Sequence, residues 1–139
     1  MSDSFLVLDA GDVQVALEAA QVEEIADPPA GRPLPRAPRH LVGLASVRGR
    51  PLPLVDLACL VQLPEASSPP ARLVVLRHGE ARTGLLVSRV RGVVASERRP
   101  VTACVGSALR ALAAGEIDTP AGIAIELDAG LLVEAARAL

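Results

Sequence analysis

Proline sets the first limit on this chain. Five prolines fall within residues 28–39, PPAGRPLPRAPR. A residue that fixes φ and lacks an N–H is excluded from a helix interior or a central strand, so this run is a loop. Pro51 and Pro53 interrupt SVRGRPLPLVDLACL, residues 46–60, and suggest that the strand there is an edge or carries a bulge. A further proline-containing loop, PEASSPPA at 64–71, marks the middle of the chain. Between these breaks the apolar runs are short, and none approaches the roughly 18 residues of a membrane span.

Short runs separated by turns read as strands. FLVLDAGDVQVAL forms a hairpin turning at Asp9 to Asp12, with Val13, Val15 and Leu17 inward and Gln14, Ala16 and Glu18 outward. EAAQVEEIAD supplies one helical turn leading into an extended Ile25. LVGLASV is a strand, Arg48-Gly49 turns it, and LPLV continues as its partner. Asp56 then caps a short helix with Leu57, Leu60 and Val61 on one face. RLVVLR, a turn at His78-Gly79-Glu80, and RTGLLVSRVRGVV make another hairpin that bends near Ser88 into a further strand. Residues 95–111 have no clear pattern. GEID, a turn over Thr119 to Gly122, and IAIEL close with a hairpin. Asp128 caps a terminal helix with Leu131, Leu132, Ala135 and Leu139 on one stripe. A mainly β domain of barrel or sandwich type is expected from 139 residues that are 50% hydrophobic.

Composition excludes several functions. One Phe and no Trp or Tyr leave no stacking platform for bases or ring ligands. Charge is segregated. Residues 1–26 carry six acids and no base, residues 27–110 carry thirteen arginines against five acids, and the tail is acidic again. A basic middle invites nucleic acid, yet lysine is absent and no aromatic accompanies the arginines, so a nucleic-acid binder is not expected. Neither a phosphate-cradling glycine loop nor a G-x-S-x-G elbow is present. Adjacent Glu23 and Glu24 point different ways on a regular element and read as a solvated face. Cys59 and Cys104 are expected to be buried structural thiols, and His40 and His78 solvated loop residues rather than metal ligands. No enzyme, metal or cofactor is expected, and the N-terminus lacks a signal peptide's basic start, so a cytoplasmic location is expected without membrane insertion.

The run LPRAPRHLVGLASVRGRPLPLVDL, residues 34–57, resembles the CheW-like domain of bacterial chemotaxis coupling proteins. Leu34-Pro35, Pro38, Gly43, Arg48-Gly49 and Pro53 to Leu57 carry the likeness. Phe5 to Val7, Val22 to Ile25, Gly84 to Val87 with Val90, and Ile123 to Leu132 follow in the family's order. The resemblance implies two small SH3-like five-stranded β-barrels packed together, with a short internal helix and a C-terminal helix, forming a single domain over residues 1–139. It implies a non-enzymatic adaptor between methyl-accepting chemoreceptors and the regulatory domain of a CheA-type histidine kinase, within a receptor array. By the same carry-over Arg48, Val22, Glu24, Gly49 and Val47 belong to the partner-binding surface. Arginine suits that role, because its rigid five-donor fork matches carboxylates and interface hot spots favour it in apolar surroundings. Three departures bear on partner choice. Ser46 stands where many relatives carry Asn, Arg50-Pro51 where an apolar strand is usual, and Ser88 where Asp is common. An alternative reading is therefore a divergent scaffold that binds one of the two partners.

Overall fold

The structure, a computed structural model, describes residues 3–63 and 70–137. Ten strands form two five-stranded antiparallel-rich sheets. The first contains β1 (Asp3–Ala10), β2 (Val13–Glu18), β8 (Arg89–Ser96), β9 (Ala113–Thr119) and β10 (Gly122–Leu127), in the spatial order β8-β1-β2-β10-β9. The second contains β3 (Val22–Ala26), β4 (Leu41–Val47), β5 (Arg50–Asp56), β6 (Arg72–His78) and β7 (Ala81–Val87), in the order β3-β6-β7-β5-β4. The two orders correspond strand for strand. Each sheet joins two hairpins through one short parallel contact, Val15-Ala16 with Ile125-Glu126 in the first and Leu54–Asp56 with Gly84–Leu86 in the second. The third strand after each leading hairpin crosses over: β3 follows β2 but pairs with β6, and β8 follows β7 but pairs with β1.

Each sheet curls around its own small interior. Phe5, Val7, Ala16, Ile117 and Ala124 fill the first, and Ala45, Leu52, Leu54, Leu73 and Val75 the second. The opposite faces meet each other. Leu6, Leu8, Val15, Leu17, Ile125 and Leu127 from the first barrel pack with Leu41, Val55, Val74, Leu76, Leu85 and Val87 from the second. Strands buried on both faces explain why FLVL and LVVL are continuous apolar runs rather than alternating ones. They also correct the expectation for Ala16, which points into the first barrel rather than outward.

Among the described residues the strands are accompanied by one 3-10 turn, Ala19–Gln21, and three α-helices. Asp56 caps α1 (Leu57–Leu60) by accepting from Cys59 N at 3.2 Å, an interaction typically worth about 1 kcal/mol. In the segment without a sequence pattern lies α2 (Ser107–Leu112), which buries Leu109 and Leu112. Asp128 caps α3 (Ala129–Arg137), accepting from Leu131 N at 2.9 Å. The buried stripe of α3 is Ala129, Leu132, Val133 and Ala136, whereas Leu131 is 49% exposed. The helix lies one position round from the expected stripe because it packs on β6 and β7 of the second barrel while its chain emerges from the first. Leu139 lies outside the described residues, as does most of the 64–71 loop.

Of the two readings of the prolines, a bulge is present, since the β4–β5 register shifts between Leu41 and Gly43, opposite Val55 and Leu54, whereas β5 is not an edge strand, since β4 and β7 flank it. Its pairing with β7 covers only Leu54–Asp56, so Pro51 and Pro53 sit on a stretch that has β4 alone as neighbour. There, two residues apart, they place their missing N–H groups on the same side of the strand, outside the ladder with β7. The 28–39 run is a loop as expected, and Arg32 exchanges two backbone hydrogen bonds with Leu44 along the outer edge of β4, at 2.8 and 3.0 Å. Cys104 is exposed and Cys59 half-buried, so the thiols are not the buried pair expected. His78 ends β6 rather than lying in a loop, and His40 buries its Nε2 rather than solvating it.

Candidate functional site

The Arg48-Gly49 turn joins β4 to β5 through two residues with positive φ, 53° and 76°. Positive φ at both central positions is the mirror-image turn that matches the strand twist, and it favours Asn or Gly at the first position and Gly at the second. Gly49 meets that demand, with nothing within 4 Å of where a Cβ would stand. Arg48 does not. It is held in a strained conformation with a side chain 77% exposed, and its Nε lies 3.1 Å from Glu24 Oε1.

That ion pair spans a seam. β3 and β4 are the two edges of the second sheet and no ladder joins them, so Glu24 on β3 and Arg48 on the β4–β5 turn meet across the gap. A β-bulge between Val22 and Glu24 shifts the register against β6. Bulges re-aim side chains, and here Glu23 and Glu24 line one cleft despite being adjacent. The expectation that they form a solvated face is thus replaced by two ion pairs, Glu24 with Arg48 and Glu23 with Arg82, the latter at 2.8 Å. The cleft, of about 200 Å³, is lined by Glu23, Glu24, Arg48, Arg50 and Arg82.

Of the five residues carried over by resemblance, Glu24, Arg48 and Gly49 come together at this seam. Val22 is half-buried against the core between the barrels, and Val47 packs toward the interior of the second barrel. Ser46 is exposed on β4, opposite Pro51. Ser88 is engaged at the crossing from β7 to β8, where its Oγ accepts from Gly11 N at 3.2 Å and its own N donates to Asp9 O at 3.0 Å.

The first barrel closes its seam by the same means. Its edges are β8 and β9, and the segment after β8 folds back so that Arg99 and Glu116 exchange backbone hydrogen bonds at 3.0 and 2.8 Å. Arg98 donates to the buried Glu126 and to Glu18, and its guanidinium carbon stands 5.8 Å from the centroid of the Phe5 ring, a cation–π contact at the barrel mouth. A Cβ on Gly115 would come within 2.7 Å of both Arg98 Cγ and Arg99 O, so only glycine lets the segment lie this close to β9. Arg99 pairs with Asp118 and with Glu116.

Glu116 is fully buried and its carboxylate accepts from Thr102 N, Ala103 N, the Thr102 hydroxyl and Arg99. The Thr102 amide first, then the Ala103 amide and the Arg99 guanidinium, outweigh desolvation and hold its pKa down at about 2. Arg98 is raised, chiefly by its bond to Glu126. Sequence reading missed this network, since its arginines lie in the unpatterned segment. The available signal was an acid within each of two otherwise buried strands, Glu116 in GEID and Glu126 in IAIEL. A buried carboxylate requires a paired cation. Among the described residues no cluster of His, Cys, Asp and Glu could hold a metal, and no helix is long and apolar enough to cross a membrane.

A family model for the CheW-like domain matches residues 4–137. The chain belongs to the CheW-like domain family. A chemotaxis protein CheW from Rhizobium meliloti is 26% identical over 92 residues, which are 66% of this chain and 59% of that relative. The chain is thus matched over less than two thirds of that relative's length. The fold is similar to the crystal structure of the scaffolding protein TtCheW from Thermoanaerobacter tengcongensis. The TM-score is 0.78 at 19% identity, covering 92% of this chain and 90% of that one. The paired SH3-like barrels are those of the CheW-like fold.

Proposed function

We propose that this protein is a non-enzymatic adaptor that couples the cytoplasmic tips of chemoreceptors to the regulatory domain of a CheA-type histidine kinase. The observation that carries the reading is Arg48. A guanidinium displayed at 77% exposure from a turn whose geometry disfavours it is retained for something other than the turn. Family membership supplies the class of partner, and the two relatives, a chemotaxis protein and a scaffolding protein, support it. Contacts within a receptor array are expected to be individually weak and multivalent, each burying on the order of 800 Å² per partner or less. The assembly belongs in the cytoplasm, where receptor tips and kinase meet.

The basic middle argues for this reading over nucleic acid. Arg48, Arg72, Arg82, Arg91, Arg98 and Arg99, six of the thirteen arginines there, each pair with a carboxylate of the chain itself, which leaves about half of them to release counterions from a phosphate backbone. The second reading, a scaffold for one partner only, is favoured by Arg50-Pro51 on β5. A pull-down of wild type and Arg48→Glu against receptor tip and kinase regulatory domain, singly and together, tests both. A ternary complex that the variant fails to form supports the adaptor. Binding of one partner alone supports the narrower scaffold, and binding of neither at tens of micromolar sinks both.

A further inference from the structure

Next to the Arg48–Glu24 pair lies a second cleft of about 340 Å³, lined by Glu23, Arg50, Arg77, Glu80 and Arg82. The two clefts share Glu23, Arg50 and Arg82, so they run into one another across the outer surface of the second barrel. Most of the charges there are already committed. Arg48 is paired with Glu24, Arg82 with Glu23, and Arg77 Nε donates to the carbonyl of Gly79 at 3.0 Å. Arg50 is different: it is exposed where the clefts join, and its guanidinium has no hydrogen-bond or ion-pair partner among the described residues.

We infer that Arg50 is a specificity-determining residue that receives an acidic side chain of the docking partner in this double cleft. Four arginines and three glutamates line the combined surface, and once Arg48–Glu24 and Arg82–Glu23 are paired, the guanidiniums of Arg50 and Arg77 and the carboxylate of Glu80 remain, a net single positive charge with Arg50 where the two clefts join. A carboxylate arriving there meets a planar fork with all five donors available, the geometry that gives bidentate pairing. The neighbouring ion pairs sharpen the selection. Glu23 and Glu24 are each paired with an arginine and offer an anion little, so an incoming carboxylate is drawn to the unpaired guanidinium of Arg50. Pro51 contributes by restricting the backbone beside the guanidinium, which lowers the ordering cost of presenting it. The inference rests on the docking reading above and deepens it by naming the chemistry of the contact.

Two measurements test it. In the first, wild type, Arg48→Glu, Arg50→Gln and Arg50→Glu are titrated against the receptor tip and the kinase regulatory domain, with urea midpoints recorded to show that the folds are intact. Arg50→Glu is expected to weaken, at least tenfold, the same partner that Arg48→Glu weakens, with Arg50→Gln intermediate. A glutamate-to-arginine change in that partner is expected to restore Arg50→Glu. Unchanged binding by both Arg50 variants overturns the inference while leaving the docking reading standing. In the second, the arginine Nε–H resonances are followed while a helical alanine-rich peptide with two glutamates one turn apart, its glutamine counterpart, or inorganic phosphate is added. A shift at Arg50 with the glutamate peptide alone supports a side-chain carboxylate. An equal response to phosphate shows a general anion site and overturns the specificity. If wild type binds neither protein, the docking reading falls, and a silent Arg50 in the peptide titration removes the carboxylate site with it.

Discussion

An L-residue in the left-handed region costs roughly 1–2 kcal/mol, and Arg48 bears that cost at φ 53°. Asparagine tolerates the same conformation better, while the exposed ion pair with Glu24 is worth only about 0–1 kcal/mol. The two terms nearly cancel. Arg48→Asn is therefore expected to leave the urea midpoint within about 1 kcal/mol of wild type, yet to weaken partner binding at least tenfold. A variant that unfolds easily, or that binds normally, contradicts the role assigned to the turn. The turn itself was legible in the sequence, because Arg-Gly between two apolar runs leaves little else for those residues to do. Its ion pair was not, although the family resemblance groups Glu24 with Arg48 on one surface. Glu24 lies 24 residues before Arg48 and reaches the same cleft as Glu23 only through a bulge, which alternation cannot reveal. Arg98 and Glu18, 80 residues apart, escaped notice for the same reason.

At the scale of elements, the seam of the first barrel depends on one buried carboxylate. Glu116 has an ordinary pKa of 4.5 and is held at about 2 in the folded chain. A depressed folded value contributes stability that is fully present above pH 4.5 and is lost as pH falls toward 2. Thermal midpoints recorded across that window are expected to fall with pH more steeply for wild type than for Glu116→Gln. The variant should start lower at neutral pH, because an amide cannot accept all the bonds Glu116 accepts. Parallel pH profiles would count against the seam network. The hairpins were legible here because turn residues punctuate them. In β5 the prolines signal the bulged ladder with β4 but not the strand's place in the sheet, because only Leu54–Asp56 pair with β7. In α3 the helical period was right, but the direction of the buried stripe depends on the barrel beneath it.

At the scale of the molecule, the two barrels share one core. Leu132 of α3, fully buried, lies in it together with Leu6 and Leu17 from the first barrel and Leu76 and Leu85 from the second. Leu132→Ala is expected to destabilise the protein by about 2–5 kcal/mol and to do so in a single transition. Far-UV circular dichroism and hydrogen exchange of first-barrel and second-barrel amides should report the same midpoint. Two separated midpoints would mean that the barrels are independent. The existence of two barrels came from resemblance to a family. The way the chain divides between them is not legible in the sequence, because which sheet a strand joins is settled by contacts far along the chain.

The crossing of β3 and β8 has a consequence for a severed chain. A cut between Leu63 and Pro70 places β1 to β5 on one piece and β6 to β10 on the other. Each barrel then draws strands from both pieces: the first needs β1 and β2 from one and β8, β9 and β10 from the other, and the second is divided in the reverse proportion. Neither piece holds a complete sheet. Produced separately the halves are expected to be unstructured, and mixed in equal amounts they should regain the strand signature of the intact chain. The protein is in this sense a dimer of unlike halves that happens to be tethered. Reassembly of the cut halves would report on their proximity in the way a split reporter does.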